Sequence, residues 1–142
     1  MFKAGIAIAA IFAFGKTPAF ANDDAQLTYA HYVCAALAER AEDSDNREAH
    51  LEFGTVFGTS FLEATGTGKP NDVPSSHVPG SILEVMDGKS IEFTLGRVFE
   101  GARQSVQKRL NSDSADEAVR FAGLLLAELE MIDNNCSLLR RP

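Results

Sequence analysis

The chain has 142 residues, 45% of them hydrophobic and 23% charged, which is one domain's worth of ordinary globular composition. Thirteen basic residues against twenty acidic ones give a net charge of -7. Collagen-like repeats, low-complexity disorder and a many-span membrane protein are excluded by composition, and a binder of nucleic-acid backbones by the lack of any basic excess.

The N-terminus predicts an export signal. Met1-Phe2-Lys3 is followed by an apolar run from Ala4 to Phe14 and then by Ala19-Phe20-Ala21. A charged start, a short apolar segment and an A-x-A site are the pattern of a secretory leader. The apolar run is too short for a bilayer, which takes about 20 residues. Cleavage after Ala21 leaves a single helical domain, Asn22–Pro142, and places it in the periplasm or outside the cell. Lys3 and Lys16 go with the leader, leaving 11 basic and 20 acidic residues and a net charge of -9. Most of the excess lies early: residues 22–65 hold nine acids and two bases.

Helical periodicity runs through the rest. The first helix is predicted over Asp24–Ala41, with Leu27, Ala30, Cys34, Leu37, Ala38 and Ala41 on one stripe and Tyr29 and Tyr32 on the opposite, outward side. A second is predicted over Asn46–Thr65, N-capped by Asp45 with Glu48 completing a capping box. Phe53, Phe57 and Phe61 recur every four residues along it, with His50 at the edge of that face and Gly54 and Gly58 alongside. Gly66–Gly80, with three prolines, reads as a long loop. A short helix is predicted over Ser81–Met86 and a fourth over Ser90–Leu110. In the latter, Arg97, Glu100 and Arg103 are spaced for ion pairs on the outer side.

A fifth helix is predicted over Ser114–Asn134, with Ser114 and Glu117 as a capping box. Ala118, Phe121, Ala122, Leu125, Leu129 and Ile132 are expected to face inward, widened by Val119 and Leu126, so that this helix is central. Four main amphipathic helices, one short one and one long connection predict an all-α bundle. The two cysteines, Cys34 and Cys136, read as one disulfide in an oxidising compartment, clasping the two ends of the domain.

Familiar catalytic patterns fail on their residues. Gly66-Thr67-Gly68-Lys69-Pro70 lacks the first glycine and the Ser/Thr of a phosphate loop, and Asp43–Arg47 opens like a calcium loop but has Glu48 where glycine is required. No HExxH or GxSxG is present. His31, His50 and His77 have no local metal partners, and two distant cysteines lack the short spacing of a structural zinc site, so neither metal nor cofactor is expected.

The reading that remains is a non-catalytic exported binding protein that docks a protein partner, one of cationic character if the acidic run is used. It shares size, charge and export with inhibitors and immunity proteins, a likeness of class and not of motif. The candidate contacts are Tyr29 and Tyr32, as exposed aromatics, with Glu42, Asp45, Glu48 and His50. An alternative is a small-molecule or lipid binder using the Phe53/Phe57/Phe61 face under the long loop. A small envelope enzyme using Glu63 or a histidine ranks below both.

Overall fold

The computed structural model describes residues 18–65, 78–87, 89–110 and 117–139. Among them are six helices and no strand: α1 (Pro18–Arg40), α2 (Ser44–Thr65), α3 (Gly80–Leu83), α4 (Ile91–Leu110), α5 (Glu117–Asp133) and α6 (Cys136–Leu139). The four long helices pack together, so the expected all-α bundle is what forms. The leader before residue 18, most of the Gly66–Gly80 loop and Ser114 lie outside the described residues.

The central helix is α1, not α5. It packs against α2, α4, α5 and α6, and every residue from His31 to Val33 and on through Ala38 is buried. Its sequence permits this, because no residue from Leu27 to Ala38 is Asp, Glu, Lys or Arg: His31 adjoins the Leu27–Ala41 stripe, and Tyr32, Ala35 and Ala36 fill the other side. Tyr32, expected on the outside, is 3% exposed and lies edge-on to Phe99 of α4. A helix apolar all round belongs in a core.

The expected inward face of α5 is corrected by the same packing. Phe121, Ala122, Leu125, Leu126, Leu129 and Ile132 are exposed. The helix instead buries Gly123 and Ala127 and half-buries Met131, a line of residues four apart on its other side. Small residues let two helix backbones approach closely, and α5 meets the core through that narrow edge. The wide apolar stripe is left outside.

Local signals explain most boundaries. The N-cap of α2 is Asp43 rather than Asp45: the Asn46 backbone N–H donates to Asp43 Oδ1 at 3.0 Å and Arg47 N–H to the Asp43 carbonyl at 3.0 Å. The helix therefore starts two residues earlier than Asn46, and Asp45 falls in its first turn, where a negative charge favours the helix dipole. Ser90 caps α4, accepting the Phe93 N–H at 3.2 Å. On α4, Arg103 pairs with Glu100 at 2.9 Å, whereas Arg97 reaches back to Asp87 at 3.5 Å. Asn135, in the left-handed region at φ 54°, ends α5 and turns the chain into α6, which the sequence pattern did not reveal. Asparagine tolerates that conformation better than most residues. The turn sets Cys136 against α1, where it forms the expected disulfide with Cys34.

Gly54 and Gly58 mark where α2 closes on its neighbours. A Cβ on Gly54 would stand 2.5 Å from Tyr32 Cε1, and one on Gly58 would meet Leu95 Cδ2. Gly96 and Gly101 on α4 face open space. One residue type therefore predicts opposite signs. Gly54→Ala gains up to about 1 kcal/mol of helix propensity but overpacks a rigid ring, which costs about 1–3 kcal/mol, so it destabilises. Gly96→Ala and Gly101→Ala each stabilise by about 0.5–1 kcal/mol. Urea denaturation of the three variants checks this.

Candidate functional site

Two features stand out from the packing: a buried histidine–cysteine cluster where α1, α2 and α6 meet, and the apolar face of α5 beside an acidic cleft.

In the first, His31 of α1 and His50 of α2 are both fully buried, and their Nδ1 atoms lie 2.9 Å apart. One imidazole must donate and the other accept across that contact, which fixes complementary tautomers. Burial holds the His31 pKa below the ordinary histidine range. Phe53 and Phe57 lie half-buried and stack on the His31 ring at 5.3 and 5.6 Å, and Phe61 is 1% exposed. The phenylalanine stripe thus covers a polar pair inside the core. His50, expected at the rim of its helix, is within it. The ligand atoms of Cys34, His50 and Cys136 all lie within 4.8 Å of one another. Residues 16 and 86 positions apart carry no local spacing to read, so only the fold reveals this set.

In the second, Phe121, Leu125, Leu126, Leu129 and Ile132 of α5 and Leu138 of α6 are between 47% and 70% exposed. At roughly 150–200 Å² for a whole side chain of this size, they show on the order of 600 Å² of apolar surface. Patches on monomeric proteins reach about 300–600 Å² at their largest and are often functional. At the C-terminal end of this face a cleft of about 350 Å³ opens between the α1–α2 turn and α5–α6, lined by Ala41, Asp43, Asn46, Glu128, Met131 and Ile132 with Cys136 and Ser137. Ile132 belongs to both. Asp43 and Glu128 make the cleft acidic, and Glu42 and Asp45, exposed on the same turn, extend that charge.

Of the other candidate contacts, the acidic ones stay together at the surface and the tyrosines go inside. Glu42, Asp45 and Glu48 are exposed around the start of α2, and Glu42 sits in the left-handed region at φ 56°. Tyr29 is half-buried against the core, and the Tyr32 hydroxyl lies 3.4 Å from Thr55 Oγ1 while burial raises its pKa. Neither tyrosine is the open aromatic that was expected. Glu63 is exposed on the last turn of α2. The residues missed were those of α5: their apolar stripe was visible, but a stripe does not say whether it is covered.

No protein-family profile matches the chain, and no curated protein or solved structure is significantly similar to it. Among the described residues no helix is long and apolar enough to cross a membrane.

Proposed function

We propose that this is an exported, non-catalytic binding protein that docks a cationic amphipathic helix of a protein partner on the α5–α6 face. Its support is one juxtaposition: about 600 Å² of exposed apolar side chains running into a cleft lined by Asp43 and Glu128. An amphipathic helix lays its apolar stripe in a groove and reads the rim by charge. Here the stripe meets Phe121, Leu125, Leu129 and Ile132, and a Lys or Arg at its edge meets the cleft carboxylates. Two such faces in contact bury around 1,200 Å², the low end of the standard size for a specific complex. The acidic bias of residues 22–65 speeds the approach of a cationic partner. Export rests on the N-terminal pattern and makes the partner an envelope or extracellular protein.

The test is a titration with two labelled helical peptides of identical leucine pattern, one with lysine and one with glutamate on its polar face. Fluorescence anisotropy shows binding of the lysine peptide, weakening as salt is added, and none of the glutamate peptide. Leu125→Asp with Ile132→Asp costs about tenfold or more in affinity, and Glu128→Lys reduces it mainly at low salt. Equal binding of both peptides, or a face already covered in a stable dimer by light scattering, contradicts the proposal.

A further inference from the structure

We infer that Cys34, Cys136 and His50 form a zinc site when the disulfide is reduced, so that the bridge and the ion are alternative occupants of the same two sulfurs. The three ligand atoms come from α1, α6 and α2 and already lie within 4.8 Å of one another. Zinc takes thiolate at about 2.3 Å and imidazole at about 2.0–2.1 Å, which separates ligand atoms by somewhat less than that in a tetrahedron. Reduction frees the two bonded sulfurs to move apart to such a separation. The ligand set is also the right one: soft thiolates with an imidazole select zinc over the oxygen-seeking cations.

Three further observations bear on the site. All three ligands are buried, so the ion would be held away from bulk water. His31 Nδ1, 2.9 Å from His50 Nδ1, fixes the His50 ring as an outer partner does for metal-bound histidines, and is a positioning residue. Cys136 lines the acidic cleft, which supplies a path for a cation to enter.

The chemistry closes with a dithiol reductant. It donates two electrons to the Cys34–Cys136 bond, leaving two protein thiols and the reductant as its own disulfide. Zinc then binds as both thiols release their protons to solvent. Reoxidation expels the ion and restores the bridge.

Cobalt(II) is the probe, because thiolate ligation gives it intense charge-transfer and visible bands. The protein is reduced with a water-soluble phosphine, which becomes the phosphine oxide, and circular dichroism follows its helix content. One equivalent of cobalt per reduced chain produces the bands, zinc removes them, and the oxidised protein gives none. Cys136→Ser and His50→Gln abolish tight binding, and His31→Gln weakens it about 10–100-fold. Absence of the bands in the reduced chain overturns the site, whether the chain stays helical or unfolds, since the site requires the three helices together. Bands that persist unchanged in His50→Gln overturn it as well.

Discussion

Replacing Cys34 and Cys136 together by serine lowers the unfolding free energy by about 4–5 kcal/mol, the amount that closing a loop of this length removes from the entropy of the unfolded chain. The two residues are 102 apart in sequence, so the bridge constrains nearly the whole described domain. It also ties α6, a single turn that packs Leu139 against the core, to α1. Urea denaturation by far-ultraviolet circular dichroism measures the loss. The variant retains its helices in water, because α1, α2 and α4 bury their own core without the bridge: Leu37, Phe61, Leu95, Val98, Ala102 and Val106 are all buried. A loss below 1 kcal/mol would mean that the two ends are held together by packing and that the clasp is redundant.

The second large effect separates α1 from α5. Leu37→Ala costs about 2–5 kcal/mol and Phe61→Ala about 3–5 kcal/mol, through lost burial and the cavity left behind. Both side chains are essentially without solvent exposure. Leu129→Ala, the same chemistry as Leu37→Ala, stays within about 0.5 kcal/mol of the parent, because its side chain is already in water. The same denaturation experiment orders the three variants. Equal costs for Leu37→Ala and Leu129→Ala would return α5 to the core.

The type and order of the first five helices were legible in the sequence because period and caps are local properties, whereas the single turn of α6 was not. Ser90 was read as the start of α4 and proves to be its cap, and the cysteine pair predicted the bridge. The start of α2 shifted by two residues because Asp43 and Asp45 are both good caps, and only the backbone shows which carbonyl begins the ladder. What local signals do not contain is which apolar face meets which. On α5 the larger side chains were assigned inward, yet α1 accepts the small Gly123–Ala127 edge because close backbone approach needs small residues. On α1 the second apolar side looked outward because Tyr29 and Tyr32 lie on it. The histidine–cysteine cluster was invisible for the same reason: His31, His50, Cys34 and Cys136 converge only through the antiparallel turn at Glu42 and the left-handed turn at Asn135. The acidic run, by contrast, was read directly, since charged side chains stay at the surface wherever the helices pack.

The docking account stands on the exposure of the α5 stripe, and the denaturation midpoint of Leu125→Asp/Ile132→Asp tests it most directly. An exposed face accepts two carboxylates with less than about 1 kcal/mol of change and an unaltered denaturant slope. Loss of several kcal/mol, or of the folded state altogether, would show that these side chains are buried and would remove the surface on which the partner is proposed to dock.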